Sequence, residues 1–133
     1  MKRTIWLTLF ILLLFVASGG CAKDGAKTVR ISDADNGKTI PLRVDQVLNI
    51  SLEGNPTTGY NWEVASKGLS ATEQIGEPEF RPSSNLIGAG GKVTLRFLAK
   101  AKGKEKLILV YRRSWEKEAP LKEFQITIVV NGK

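Results

Sequence analysis

Hydrophobic and polar side chains alternate along most of the chain after residue 27, and a period of two is typical of β-strands with one buried face. Leu48, Ile50 and Leu52, for example, are separated by single polar residues. The segment 65–76 is less regular and is compatible with a short helix or an irregular connection. The alternation predicts eight strands, at 28–32, 39–44, 46–53, 60–65, 78–81, 92–100, 105–113 and 121–131.

Short strands punctuated by Gly, Pro and Asn predict the fold class. Seven or eight of them in about 110 residues are typical of an all-β protein, an immunoglobulin-like antiparallel β-sandwich. We expect one such domain, over residues 28–133. Trp62 alternates with Val64 and is predicted to lie in the core. The apolar run 107–111 predicts a strand that is buried on both faces.

The N-terminal segment has the layout of a secretory leader. Lys2 and Arg3 precede an apolar run at 5–17, which is shorter than the roughly 20 residues that cross a bilayer comfortably. Small residues then precede Cys21, the single cysteine of the chain. This arrangement resembles the bacterial lipobox, although Ser18 stands where leucine is more usual. We therefore interpret residues 1–20 as a lipoprotein signal peptide.

Cys21 is the predicted site of lipidation. Cleavage would leave it as the first residue, and two or more acyl chains on one residue anchor a protein stably. Residues 21–27 would then be the acylated cysteine and a short tether. The expected location is the cell envelope, lipid-anchored after export, at the outer membrane if the host has one. The alternatives are ordinary cleavage nearby with an incidental thiol, or an uncleaved anchor helix.

Three breaks in the strand pattern, at 54–59, 82–91 and 114–120, are predicted loops. They follow the third, fifth and seventh predicted strands. In a sandwich whose consecutive strands run up and down, loops that follow every second strand emerge at the same end. We therefore expect the three loops to form one composite surface, with the connection at 102–104 at the opposite end.

The first of these loops is predicted to be stiff. Pro56 fixes its own φ, and Thr57 and Thr58 are β-branched. Gly59 permits a positive φ for a sharp return. The loop would expose two hydroxyl groups at its tip, although an ordinary turn has a similar composition.

The other two loops carry different features. The run Gly88-Ala89-Gly90-Gly91 often marks close approach of the backbone, either to a partner or to a neighbouring strand. In the third loop, Trp115 follows Arg113 at the end of a strand and is expected to be partly exposed. Exposed Trp and Arg are enriched in binding hot spots. The alternative is that Trp115 folds back over the core.

Composition argues against catalysis. The chain has no histidine, so Ser–His and Cys–His pairs are excluded, and one cysteine provides no Cys/His metal cluster. We expect no enzymatic activity, no metal and no cofactor. The net charge is +7, and its densest cluster is four lysines at 100–106. Without interleaved aromatic residues these predict a solvated turn and no nucleic-acid binding.

Together the loops resemble the three signatures of chagasin-family inhibitors. Asn55-Pro56-Thr57-Thr58-Gly59-Tyr60, followed by Trp62, is similar to the first signature, and Gly88-Ala89-Gly90-Gly91 to the second. Tyr111-Arg112-Arg113-Ser114-Trp115 resembles the third, except that Ser114 stands where the family has proline. The resemblance covers most of 29–131 and excludes the leader.

The resemblance implies a reversible, non-covalent inhibitor of papain-like cysteine peptidases, and we expect a monomer. Thr57 and Thr58 would enter the active-site cleft, the glycine-rich run would follow its non-primed side, and the third loop would pack on the other rim. The implied peptidase-binding residues are Asn55, Pro56, Thr57, Thr58, Gly59, Tyr60, Gly88, Ala89, Gly90, Gly91, Arg113 and Trp115. The alternatives are an envelope lipoprotein that binds a protein or glycan ligand without inhibiting a peptidase, and a purely structural envelope component.

Overall fold

The computed structural model describes residues 27–132, so the predictions for Cys21 and the leader lie outside the described residues. Within this part of the chain no helix is long and apolar enough to cross a membrane. The secondary structure consists of strands and two short 3-10 turns, Asp33–Asp35 and Pro56–Thr58. The strands are β1 Thr28–Ser32, β2 Thr39–Arg43, β3 Val47–Gly54, β4 Asn61–Val64, β5 Thr72–Gln74, β6 Glu79–Pro82, β7 Gly91–Ala99, β8 Gly103–Arg112 and β9 Lys122–Asn131.

The strands form two sheets that enclose one core. One sheet has the order β1-β3-β7-β5, with β6 also on β7, and the other has the order β2-β9-β8-β4. The predicted immunoglobulin-like β-sandwich is confirmed, but both sheets are mixed. The pairs β1–β3 and β2–β9 are parallel, and the other pairs in the described chain are antiparallel. The parallel pairs arise because the chain crosses between the sheets after β1 and again after β2.

Strand β5 was not predicted from the sequence. It has three residues, of which only Thr72 is buried, so it is too short to show a period. Both β5 and β6 pair antiparallel with β7, and they therefore run in the same direction as two parts of one edge. The additional strand leaves the direction of every later strand unchanged. For this reason the three loops still emerge at the same end of the sandwich.

The core is built from alternate residues of both sheets. Trp62 belongs to it as predicted, with 4% of its surface exposed, and its Nε1 donates to the Glu53 carbonyl oxygen at 3.0 Å. The prediction that 107–111 is buried on both faces is wrong: Ile108 and Val110 are only half-buried because no third layer covers that sheet. The largest fully buried side chains are Phe97, Leu42, Leu48, Ile50, Leu52, Leu95, Leu107, Leu109, Ile126, Ile128 and Thr72.

Candidate functional site

The three irregular loops meet at one end of the sandwich, as predicted. We call them loop A (54–59), loop B (82–91) and loop C (114–120), and together the three-loop surface. Asn55 Nδ2 donates to the carbonyl oxygen of Gly88 at 2.9 Å, which joins loop A to loop B. Arg113 Nε, just before loop C, donates to the carbonyl oxygen of Thr58 at 3.0 Å. Loop A therefore lies between the other two and is held by both.

Loop A is a capped 3-10 turn. Pro56 occupies its first turn, and Asn55 Oδ1 caps it by accepting from the Thr57 amide at 3.2 Å. The turn ends at Gly59, whose φ of +83° lies in the left-handed region that glycine tolerates best. The Gly59 amide donates to the Pro56 carbonyl oxygen at 3.0 Å. The stiffness predicted from the residue types is matched by this local network.

The two threonine hydroxyl groups at the tip donate within loop A. Thr57 Oγ1 donates to Asn55 Oδ1 at 2.5 Å, and Thr58 Oγ1 donates to the Asn55 carbonyl oxygen at 2.6 Å. Both side chains are exposed. The tip therefore presents methyl groups and oxygen lone pairs to a binding partner, because each hydroxyl hydrogen already forms a hydrogen bond within the loop. The sequence alone predicted the exposure of these groups but not their hydrogen-bonding role.

An aromatic stack supports loop A from below. The Tyr111 hydroxyl oxygen accepts a hydrogen bond from the backbone amide of Asn55 at 2.8 Å. The Tyr111 ring stacks on Tyr60 with 5.4 Å between centroids and packs against Trp62 at 5.2 Å. Such pairs add roughly 0.5–1.5 kcal/mol beyond the area they bury. Tyr111 thus positions the loop. The residue belongs to the third sequence motif, but the sequence did not indicate this role.

Loop C places an exposed indole beside loop A. Trp115 is 69% exposed, so it does not fold back over the core. A Cβ atom on Gly59 would lie 2.7 Å from Trp115 Cη2, so only glycine leaves room for the ring. The Arg113 guanidinium lies 4.4 Å from the Tyr60 ring centroid and bonds Glu116 Oε1 at 3.0 Å. The hydrogen bond to Glu116 raises the pKa of Arg113.

Loop B shows an exposed aliphatic pair that the sequence interpretation missed. Leu86 and Ile87 are 77% and 106% exposed at its tip. The sequence did contain an indication of this pair, because two adjacent large aliphatic residues are unusual in a polar, glycine-rich loop. At Gly91 the close backbone approach is internal, because a Cβ atom there would overlap the Arg81 carbonyl group of β6. Gly88, by contrast, has a φ of +79° and open space around its Cα.

Within residues 27–132 no group of three or more His, Cys, Asp or Glu side chains is placed to hold a metal ion. What loops A, B and C offer instead is a projecting tip with exposed apolar groups on both sides. Such a surface is suited to binding a concave partner.

Comparison with known proteins agrees with this geometry. Residues 41–128 match the family model described as Chagasin family peptidase inhibitor I42. The chain is 35% identical to amoebiasin-1 of Entamoeba histolytica over 101 residues. This alignment covers 75% of this chain and 97% of amoebiasin-1. It is 36% identical over 90 residues to chagasin of Trypanosoma cruzi, covering 65% of this chain and 82% of chagasin.

The fold is also shared with a solved structure. The crystal structure of the cysteine protease inhibitor EhICP2 from Entamoeba histolytica superposes with a TM-score of 0.68 and 20% identity, over 78% of this chain and 96% of that one. At this identity the similarity establishes the β-sandwich alone. The family match goes further, because residues 41–128 span loops A, B and C. The chain belongs to the chagasin family, whose members are peptidase inhibitors and not enzymes.

Proposed function

We propose that this chain is a monomeric, reversible and non-covalent inhibitor of papain-like cysteine peptidases that blocks the active-site cleft with the three-loop surface. The observation that carries the proposal is the joining of the loops. Asn55 bonds Gly88 at 2.9 Å and Arg113 bonds Thr58 at 3.0 Å. A surface that is assembled before binding loses little conformational entropy when it docks.

The tip of loop A suits a cleft that holds a thiolate and an imidazolium. Thr57 and Thr58 present lone pairs, which accept hydrogen bonds from a protonated imidazole. The backbone at 56–58 is a 3-10 turn and not the extended strand of a substrate, so no peptide bond is aligned for attack. The loop can therefore fill the cleft and stay intact.

Apolar side chains flank this tip on both sides. Leu86 and Ile87 project from loop B, and Trp115 projects from loop C. Burying such groups contributes about 25 cal/mol per Å² of apolar surface, and tryptophan is among the residues most enriched in hot spots. The polar tip thus occupies the centre of the interface, while the flanks supply most of the binding energy.

Titration of papain with residues 22–133 tests the proposal. All nine strands and the core lie within 28–131, so this domain is expected to fold without the leader. We expect stoichiometric loss of papain activity, recovery on dilution and no cleavage of the domain, whereas a trypsin-like serine peptidase is unaffected. No inhibition of several papain-like peptidases at micromolar domain would overturn the proposal in favour of a ligand-binding lipoprotein.

We also propose that Cys21 carries a lipid anchor after residues 1–20 are removed as a signal peptide, which places the domain in the cell envelope. The support is the sequence: an apolar run followed by small residues and the single cysteine. The full chain should incorporate labelled fatty acid and partition into a detergent phase, and Cys21→Ser should do neither. A wild-type chain that stays in the aqueous phase would refute the anchor.

A further inference from the structure

The end of the sandwich opposite the three-loop surface collects both ends of the described chain. The Val47 amide donates to the Lys27 carbonyl oxygen at 2.8 Å, where β1 and β3 begin. At the other terminus Gly132 lies against the side chain of Lys102, in the turn between β7 and β8. The chain therefore enters the domain at this end.

This end is rich in exposed cations. Opposing them are the exposed carboxylates of Asp45 and Glu73, of which Glu73 forms a loose pair with Lys100 at 4.0 Å. The partly exposed carboxylate of Glu105 also lies at this end, where it accepts hydrogen bonds from the Ser70 and Ala71 amides. We call the surface the basic end and define it by Lys27, Arg43, Lys100, Lys102 and Lys104, all of them exposed.

The three-loop end has a different charge pattern. There Lys92 pairs with Asp33 at 3.0 Å, and Arg113 pairs with Glu116 at 3.0 Å. These cations are largely neutralised by their neighbours. The surplus of positive charge therefore lies at the basic end, where five cations face the three carboxylates of Asp45, Glu73 and Glu105.

We propose that the basic end binds the anionic headgroups of a lipid bilayer. Each Lys or Arg near such a surface strengthens binding by roughly fivefold, so a cluster of this size gives useful affinity. A bilayer is favoured over other polyanions because the chain enters the domain at this end. The segment from residue 21 to 27 reaches at most about 20 Å, so a membrane-held N-terminus would keep the basic end close to the bilayer.

Docking in this way fixes the orientation of the inhibitor. Strand β8 runs ten residues, about 33 Å, from the basic end to the three-loop surface. The three-loop surface would face away from the membrane, where a peptidase can approach it. The inference concerns residues outside loops A, B and C and stands apart from peptidase inhibition, but its choice of a bilayer rests on the proposed lipid anchor at Cys21.

Vesicle sedimentation with residues 22–133 tests the contact. Phosphatidylcholine vesicles containing about one-third phosphatidylglycerol should bind the domain, and pure phosphatidylcholine should not. Replacing Lys100, Lys102 and Lys104 by Gln should weaken binding at least tenfold while papain inhibition is unchanged. The matched control replaces three exposed cations outside the basic end and should weaken binding less than threefold: Lys38→Gln, Arg96→Gln and Lys117→Gln. Equal losses in the two variants, or no binding to anionic vesicles, would overturn the proposal.

Orientation is tested separately with a single fluorescent label, because residues 22–133 contain no cysteine. Ala101→Cys places the label at the basic end, and Ser84→Cys places it in loop B. On vesicles with nitroxide-labelled headgroups, the label at 101 should be quenched and the label at 84 should not. Similar quenching at both positions would show binding without this orientation and contradict the inference. Binding to heparin but not to the vesicles would identify a soluble polyanion instead and also contradict it.

Discussion

The side-chain amide of Asn55 donates through Nδ2 to the carbonyl oxygen of Gly88 at 2.9 Å and so ties loop A to loop B. The other end of the same amide, Oδ1, accepts from the Thr57 amide at 3.2 Å and caps the 3-10 turn. One side chain thus closes loop A and also fixes its position relative to loop B. Inhibition should therefore depend on this amide more strongly than folding does.

Asn55→Asp separates the two roles. The carboxylate still caps the turn, but it has no donor for Gly88 and places a negative charge against that carbonyl group. We expect papain inhibition to weaken by roughly five- to thirtyfold, corresponding to about 1–2 kcal/mol, with little change in the urea midpoint. Asn55→Ala loses the cap as well and should also lower the midpoint. Unchanged inhibition by Asn55→Asp would show that the A–B bridge does not matter.

Gly59→Ala tests the packing of loop C on loop A. Gly59 has a φ of +83°, and a Cβ atom there would displace the Trp115 ring. Gly37→Ala is the matched control, because Gly37 has a φ of +82° and nothing within 4 Å of such an atom. Both variants should lose about 1–2 kcal/mol of stability. Only Gly59→Ala should also shift the tryptophan fluorescence and weaken inhibition at least tenfold. Equal effects of the two variants on inhibition would show that the contact between Gly59 and Trp115 does not contribute to it.

Ser114→Pro introduces the residue that the chagasin signature has at this position. The Glu116 amide donates to the Arg113 carbonyl oxygen at 3.1 Å, which makes Ser114 the second residue of a β-turn. Proline suits that position because its fixed φ fits type I and type II turns. We expect unfolding to become less favourable by about 0.5–1 kcal/mol and inhibition to tighten severalfold. A lower melting temperature would mean that the turn has another geometry.

Glu105→Gln tests a stabilising carboxylate far from the loops. Glu105 Oε2 accepts from the Ser70 and Ala71 amides at 2.9 and 3.0 Å, and Oε1 accepts from the Thr72 hydroxyl at 2.5 Å. Burial raises the pKa of Glu105, but these hydrogen bonds outweigh it and hold the pKa below its ordinary value. The carboxylate therefore stabilises the fold above about pH 4.3, the unfolded-state value, and this contribution is lost as the pH falls through the lower folded-state pKa.

Urea unfolding at two pH values measures the effect. At pH 7, Glu105→Gln should lose about 1 kcal/mol, a modest figure because the side chain is partly exposed. At pH 3 the difference in unfolding free energy between wild type and variant should be smaller, because the carboxyl group of the unfolded wild type is then protonated and must release its proton on folding. A difference in unfolding free energy that is the same at both pH values would show that the charge of Glu105 contributes nothing to stability.

The strands and the convergence of the loops were predictable because both depend on local pattern and chain order. Alternation along β3, β7, β8 and β9 predicted the sandwich, and parity predicted that loops A, B and C share one end. The prediction that the loops share one end remained correct despite the missed strand β5 only because β5 and β6 run in the same direction along β7.

Pairing between distant residues was not predictable. Nothing local to β1 or β2 indicates that each lies parallel to its neighbour. The bond from Asn55 to Gly88 joins residues 33 positions apart, and the Tyr111 hydroxyl reaches Asn55 across 56 positions. The hydrogen-bonding state of the threonine hydroxyls likewise depends on how the folded turn places Asn55. Composition predicts what such groups can do, but the fold decides which partner each one meets.

The three-loop mechanism requires that the bound domain cover the catalytic thiol of papain. Residues 22–133 contain no cysteine, so labelled iodoacetamide added to the complex reports on the peptidase alone. With a saturating domain we predict that alkylation of the catalytic cysteine slows at least tenfold and returns to its original rate on dilution. Alkylation at the original rate while papain stays inhibited would place the domain outside the cleft and contradict the three-loop mechanism.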